Sequence, residues 1–576
     1  METGFDFSTL PLIGREETKA RLVSGLQSAL EGVGRTLLLR GELGTGKSHL
    51  CRHLRDDAER RGFKVVLGRA YRAESGVPYS LFSDAFLPLL RDQAPETLEV
   101  LSRGGALELE HLFPGLTRTS AETARVESES PGELRARVLW TFVEVLKGLA
   151  EREPLCIILD DLQWADPSSL EATHFLARHL TDCHALLLLT RDELVKGDDE
   201  ALGDVERSLL TQGIAEEIRL PPFSREETGV FLKKAFGVEE EVAKDFANRL
   251  HEWTQGNPFF LEETLQGLVR SGDLYRKGAA WLGWETQELQ LPRTVKEAIL
   301  DTLGKLPEDA HNLAELAAIL GVRAPFPVLQ SLSPLSETEL LENLELLVER
   351  KVLTEGLGEE GVVYDFRQTL VRETLLKELG LARTQILHRK VAQALEETLG
   401  DRARDHAGTL AYHYLEAAGE ATESAILHLR LAGRDALSRF GNAEAARFLR
   451  AALALLDRKN ARGESDVEVE GGTRGVVDDL ARALSRLGEY AEAVPLWERA
   501  KELAEREGLA DDAAECRRRI GIIKSYHGDP KGAVDEYDAV LAAPPDSLSP
   551  NLVARTRLRR GVALEELGRL EEAREE

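Results

Sequence analysis

Cysteine is scarce in this chain: Cys51, Cys156, Cys183 and Cys516 are the four in 576 residues, and no two form a C-x-x-C pair. That spacing argues against a zinc site or a disulfide framework, and the two in or beside apolar runs read as small core hydrophobes. Long apolar stretches are also missing. No run approaches the ~18 residues of a membrane helix, and the start, Met-Glu-Thr-Gly-Phe-Asp-Phe-Ser, has neither the basic nor the apolar segment of a secretory leader. A reduced, cytoplasmic setting fits both absences. Basic residues are outnumbered, 73 Lys and Arg against 101 Asp and Glu, and the net charge of −28 opposes non-specific attraction to DNA or an anionic membrane. Local basic faces remain compatible with it. What is present, 43 % hydrophobic and 30 % charged residues, is ordinary globular material. At ~100–200 residues per domain the length calls for about three to five domains.

The chain is organised around one stretch. Residues 36 to 40 are a short apolar run ending in Arg40; Gly41-Glu42-Leu43-Gly44-Thr45-Gly46-Lys47-Ser48 follows, and His49 leads into helical sequence. This is the pattern G-x-x-x-x-G-K-[ST] between a strand and a helix, the setting that gives it meaning. Its glycines let backbone N–H groups wrap a phosphate, and the helix starting near Gly46 adds its positive end. Lys47 neutralises terminal phosphate charge, and Ser48 offers a hydroxyl to Mg²⁺. A nucleoside triphosphate is the expected ligand. Upstream, Leu12-Ile13-Gly14-Arg15-Glu16 suits an apolar backbone loop against an adenine, although alone it is only a helix entrance.

Downstream, 63–67 reads as a second strand, 80–90 and 133–150 as amphipathic helices, and 94–131 as polar and irregular. Leu155 to Leu159 is a buried-strand run ending in Asp160-Asp161, and in parallel α/β sheets ligands collect at such strand ends. Asp160 suits a metal held beside the phosphates and Asp161 the polarisation of attacking water. Two acids after a strand are otherwise an N-cap and a solvated turn. Asp166 before Pro167 marks a helix start. Ala185 to Leu189 is another buried strand, ending in Thr190-Arg191, a hydroxyl and guanidinium suited to a γ-phosphate; the spacing fits a solvated loop arginine equally well. Alternating strands and helices predict a doubly wound α/β domain.

From Leu220 the sequence turns helical, with a Ser224/Glu227 capping box, and Gly256-Asn257-Pro258 launches another helix through Gln266. Trp281 and Trp284 fall in a β-extension, where packing is the better reading. Helices at 294–305, 308–320, 325–332 and 336–350, followed by strands at 351–354 and 362–366, spell a winged helix. The acidic wing, Glu355 to Glu360, favours packing over DNA binding. From His388 onward the chain is helical and alanine-rich. Gly441, Gly488, Gly528 and Gly568 are each followed five residues later by Ala, and the last three recur at intervals of 40, close to a tetratricopeptide pattern with extended helices. A plain helical bundle is the alternative. The sequence breaks off within the helix after Gly568 with no polar cap, the mark of a fragment or of a chain cut before an output domain.

Together Leu-Ile-Gly-Arg-Glu, the phosphate loop, Ile-Ile-Leu-Asp-Asp-Leu-Gln-Trp-Ala-Asp and Leu-Leu-Leu-Thr-Arg resemble the AAA-type ATPase domain of bacterial STAND proteins, signal-transducing NTPases found in large LuxR-type regulators and multidomain cyclases and kinases. The resemblance implies ATP or ADP with Mg²⁺ bound by Gly41, Gly44, Thr45, Gly46, Lys47, Ser48 and His49, with Ile13, Gly14, Arg15 and the lid proline Pro258 near the base. It makes Ser48 and Asp160 the metal residues, Asp161 the acidic partner and Arg191 the γ-phosphate sensor. Phe366 to Glu373 resembles the family's Phe-x-His-x-Leu-Val-Arg-Glu signature, with Gln368 in place of histidine.

The implied plan is an ATPase domain at 1–219, a helical lid at 220–285, a winged helix at 286–385 and TPR-like repeats at 386–576. The implied function is a slow ATP-hydrolysing switch that senses a protein partner or small-molecule inducer at the repeats and forms an ATP-dependent homo-oligomer. Nucleic acid would be met only through an output domain. The rival readings are an AAA-type motor or loader with fast turnover and a nucleotide-stabilised scaffold.

Overall fold

The computed structural model describes residues 12–116, 131–193, 200–237, 240–277, 280–282, 295–321, 323–358, 361–404, 406–417, 423–462, 471–544 and 547–576. The chain divides into two compact units, one running to Ser75 and from Tyr79 to Thr398, the other comprising Gly76–Pro78 and Leu399–Glu576.

The first unit is built on a parallel sheet of β1 (Arg35–Gly41), β2 (Lys64–Arg69), β3 (Leu155–Asp160), β4 (Ala185–Asp192) and β5 (Ala215–Leu220), ordered β2-β3-β4-β1-β5. Helices cover it, so the inner strands are apolar on both faces: every residue of β3 is buried, and so are Ala185 to Thr190 of β4. The register sets Gly41 opposite Asp192, and Arg69 opposite Asp160, bringing the phosphate loop and the acidic strand ends to one edge. Edge strand β5 was missing from the sequence reading because Ala-Glu-Glu-Ile-Arg-Leu alternates and is charged. Its Glu217 is held by Arg40 at 2.7 Å.

The stretch expected to be irregular is partly ordered, a correction to the reading of 94–131. It holds a helix at Pro95–Leu101 and a 3₁₀ turn at Ala106–His111, with Leu98, Leu109, Leu112 and Phe113 buried. Phe113 lies 5.1 Å from Phe142, which also meets Phe86 at 5.0 Å. These few large side chains, each worth about 1.5–3 kcal/mol of burial, override the polar composition. Residues 117–130 lie outside the described set.

Helices Arg225–Phe236, Glu240–Thr254 and Pro258–Ser271 form the lid around Phe223, Phe231, Phe246, Leu250 and Leu261. The capping box is present: Glu227 N donates to Ser224 Oγ, and Ser224 N to Glu227 Oε2. In the hairpin of β6 (Tyr275–Lys277) and β7 (Ala280–Leu282), Trp281 packs edge-on against Phe236 at 5.1 Å; Trp284 falls outside the described residues.

Next come helix Glu308–Leu320, β8 (Ala324–Pro325), helices Phe326–Leu332 and Glu337–Glu349, and a wing of β9 (Leu353–Gly358) and β10 (Gly361–Phe366), with sheet order β8-β10-β9. This is a winged helix. Strand β8, two residues long, is below the reach of periodicity. Arg372 is buried and donates to Ala318 O at 2.9 Å, tying the following helix, Thr369–Glu378, into this core.

In the second unit, successive helices from Ala407–Glu416 to Leu570–Glu575 each pack on the next. Gly488, Gly528 and Gly568 have φ of 80°, 75° and 74°, the left-handed turns their spacing predicts, whereas at the first turn Phe440 takes that conformation and Gly441 does not. Ala446, Ala493 and Ala533 are buried at helix contacts, and Trp497 donates to Ser485 Oγ at 2.9 Å. Among the described residues no helix is long and apolar enough to cross a membrane.

Candidate functional site

The phosphate loop joins β1 to helix Lys47–Arg60, with Gly46 at the helix cap at φ 99°, a conformation closed to most side chains. Lys47 is buried; its Nζ donates to Gly41 O at 2.8 Å and Glu42 O at 3.1 Å and pairs with Asp192 Oδ2 at 3.3 Å. Thr45 Oγ1 donates to Glu42 O at 2.8 Å, closing the loop on itself. Beside it, Ser48 Oγ stands 3.4 Å from Asp160 Oδ2.

Asp160 and Asp161 occupy different settings. Asp160 accepts from Thr190 Oγ1 at 2.5 Å; burial, then the adjacent Asp161, push its carboxyl up, opposed by Arg69, the Thr190 bond and Lys47. Asp161 sits in the left-handed region at φ 61° and ψ 43°, which ends the strand. Its Oδ2 accepts from Arg69 Nε and Nη2 at 2.8 and 2.6 Å, and its Oδ1 from Gln163 Nε2 at 2.9 Å. The other end of Gln163 accepts from Asp192 N at 3.1 Å. Gln163 thus ties the acidic turn to β4, a role the single letter gave no sign of.

Arg191 is placed away from the phosphate loop. Its guanidinium pairs with buried Glu206, which also takes Arg40 at 2.6 Å. Side chains alternate along a strand, so with Thr190 and Asp192 turned toward the acids and Lys47, Arg191 faces the other way. Asp192, one residue on, is the side chain that reaches the phosphate loop. Asp166, the expected N-cap, is fully buried. Its Oδ1 accepts from Ser169 N at 2.8 Å and Tyr79 N at 2.9 Å, and its Oδ2 from Ser169 Oγ and Ser80 Oγ. It therefore fastens two helix starts together.

A cavity of about 280 Å³ opens over the loop. Ile13 and Arg15 line it from the N-terminal loop, Gly44 to His49 from the phosphate loop, and Phe223, Pro258 and Phe259 from the lid; Arg367, Gln368 and Leu370 reach it from the end of β10. Gly14 lies between two lining residues at φ 63°, and Gly41 contributes through its carbonyl to Lys47. Arg15 lies over the Phe223 ring at 4.9 Å and points Nη2 at Thr45 O, 3.5 Å away. Asn257 does two jobs. Its Oδ1 caps the lid helix at Phe259 N and Phe260 N, and its Nδ2 donates to Leu43 O at 2.8 Å. Phe259 N also donates to Gly44 O at 3.2 Å, so the lid grips the phosphate loop directly. An Asn before Pro signals the cap; its second hand needed the fold.

Two acceptors from the winged-helix side, Gln368 Oε1 and Glu373 Oε1, are buried without a hydrogen-bond partner among the described residues. Burial pushes the Glu373 carboxyl up, Lys377 opposes this, and the charges of Asp192 and Asp161 add to it.

Residues 11–189 match the AAA ATPase domain, and residues 475–545 the tetratricopeptide repeat. An uncharacterized protein of Rhizobium meliloti is 25 % identical over 458 residues, covering 77 % of this chain and 43 % of its own. A peroxide stress-activated histidine kinase of Schizosaccharomyces pombe is 24 % identical over 474 residues, covering 73 % of this chain and 19 % of its own. The chain thus spans less than half the length of either curated relative. Among solved structures, a Signal Transduction ATPase with Numerous Domains (STAND) protein with a tetratricopeptide repeat sensor from Pyrococcus horikoshii aligns at 12 % identity and TM-score 0.34, over 99 % of this chain and 83 % of its own. The Aeropyrum pernix ORC2 protein in its ADPNP–ADP complexes aligns at 15 % identity and TM-score 0.31, over 68 % and 98 %. The chain carries an AAA ATPase domain, with the nucleotide binding that this domain implies, joined to C-terminal tetratricopeptide repeats.

Proposed function

We propose that the chain is an ATP-dependent signalling switch of the STAND class, in which bound ADP or ATP sets the arrangement of lid and winged helix while the repeats receive a partner or inducer. The observation that carries this is the lining of one cavity by the phosphate loop, the lid and the end of the winged helix together. A ligand there touches every part whose position would have to change.

Ser48 Oγ and Asp160 Oδ2, side by side with Asp160 fixed by Thr190, suit Mg²⁺, which binds through one or two protein oxygens and keeps several waters. Bound there, the ion would neutralise phosphate charge. Lys47 would leave its loop carbonyls for the terminal phosphates, and Asp161 would orient water once released from Arg69. Slow hydrolysis follows from that restraint.

Throwing a two-state switch from 1:99 to 99:1 takes ~5.5 kcal/mol of differential binding, whereas one charge-assisted hydrogen bond supplies ~1.5–3. With Arg191 turned to Glu206, the difference must be assembled from Lys47, the Mg²⁺ pair, the lid contacts and partner binding.

Turnover and oligomer size measured in ADP and in ATP test the reading. Slow hydrolysis with ATP-dependent assembly is expected; rapid multiple turnover in a ring indifferent to nucleotide would overturn it. Lys47→Ala tests the site itself, which is wrong if ATP affinity is unchanged.

A further inference from the structure

A second cavity, of about 1090 Å³, adjoins the first and shares Ser48, His49, Arg52, Arg69, Glu262, Arg367 and Gln368 with it. It runs between helix Lys47–Arg60, β2 with helix Ser80–Arg91, and the winged-helix residues Arg323, Thr354 and Asp365 to Gln368. In a chain with a net charge of −28, this hollow is basic: Arg52, Arg55, Arg69, Arg91, Arg323 and Arg367 line it, against Asp84, Asp160, Glu262 and Asp365.

Several of those cations are weakly held. Among the described residues Arg55 pairs only with its neighbour Asp56, and Arg323 approaches Asp84 no closer than 3.9 Å. Arg52 and Arg55 stand three residues apart on one helix, which puts both on the same face. The hydroxyls of Tyr71, Ser83 and Thr354 add neutral donors, and burial with Asp84 keeps Tyr71 protonated. Two acceptors on this wall, Asp365 Oδ1 and Gln368 Oε1, are buried without a hydrogen-bond partner among the described residues.

We propose that this cavity binds a small phosphorylated ligand bearing hydroxyl or amino donors, such as a sugar phosphate or a second nucleotide, beside the terminal phosphate of the P-loop nucleotide. The arginines take the phosphate through charge-assisted, forked hydrogen bonds, and Asp365 and Gln368 take the donors. The volume is that of a small-molecule site. A nucleic acid is the poorer occupant: the wing lines the hollow through Thr354, acidic Glu355 follows it, and backbone binding needs an extended basic track. The ligand's position beside a terminal phosphate rests on the nucleotide reading above; the cavity's own chemistry does not.

Calorimetric titration of the full chain, saturated with Mg-ATP, with ribose 5-phosphate and with inorganic pyrophosphate tests this. Saturable binding of at least one probe at one site is expected, weakened about tenfold by Arg55→Ala and by Arg323→Ala, with ATP affinity unchanged in both variants. Both side chains are substantially exposed, so neither substitution threatens the fold. Absence of saturable binding, binding displaced by ATP, or binding indifferent to both variants overturns the proposal. So does displacement by a single-stranded oligonucleotide with a steep salt dependence. Probe binding retained by a native chain that fails to bind ATP would overturn the nucleotide reading alone.

Discussion

Arg69 and Asp161 form a two-pronged pair across neighbouring strand ends, Nε and Nη2 reaching the same carboxylate oxygen at 2.8 and 2.6 Å. The acid proposed to polarise water is thereby engaged by a cation from its own sheet.

Arg69→Ala should raise ATP turnover. Hydrogen bonds to charged groups are worth ~1.5–3 kcal/mol, so removing the clamp is expected to speed hydrolysis about tenfold or more if releasing Asp161 limits the step. Single-turnover rates with and without the substitution check it. An unchanged or lower rate in a folded variant would show that Asp161 works while clamped, or not at all.

Asp166→Ala should cost about 3 kcal/mol. The cap itself is worth ~1–2, and Tyr79 N loses a buried acceptor at ~1–3 more. Chemical denaturation of the ATPase-bearing unit measures it, with Asp166→Asn retaining part of the difference.

Arg191→Ala and Asp192→Ala should separate cleanly. The first removes a partner of buried Glu206, which keeps Arg40, and should cost about 1–3 kcal/mol of stability with ATP affinity unchanged. The second removes the carboxylate beside Lys47 Nζ and should change ATP affinity. Equilibrium nucleotide binding distinguishes them, and the opposite pattern would restore Arg191 as a phosphate sensor.

Acidification should weaken the first unit through His388. Burial, then Arg72 and Arg372, lower its pKa from 6.5 to about 4. Between those values the unfolded chain binds the proton more readily than the folded one, so stability present above pH 6.5 is lost as pH falls toward 4. At ~1.4 kcal/mol per pKa unit the loss is on the order of 3 kcal/mol. His388→Gln should flatten that part of the pH–stability curve, and a slope that survives the substitution would assign it to other groups.

What could be read from the sequence followed from local rules. Gly41 to Ser48 announces itself because phosphate wrapping, helix start and cation must be neighbours in the chain. The buried strands announce themselves because Leu155–Asp160 and Ala185–Asp192 are apolar on both faces. Ser224/Glu227 and Asp166-Pro167 are likewise short-range grammar. The losses are long-range. Strand β5 is polar because it lies on an edge, and residues 95–113 owe their order to Phe113 meeting Phe142. The side of the sheet that Arg191 takes is not legible either, because spacing locates a strand end but says nothing of which face a side chain takes. Arg69, Gln163 and Asn257 do their work with partners 92, 29 and 214 residues away, beyond any periodicity.

Asn257 has a further consequence. It secures the lid helix with one end and Leu43 O with the other, and a Cβ on Gly44 would fall 2.7 Å from its Oδ1 and 2.9 Å from Phe259 Cβ. The missing side chain at Gly44 therefore serves the lid as much as any phosphate. Because the loop and the lid share these bonds, they cannot relax independently: swinging the lid away strips the loop of two supports at once. On the proposed switch reading, the residence time of a nucleotide depends on the lid's hold on the loop, and Asn257→Ala should shorten it even though the phosphate-binding groups themselves are untouched.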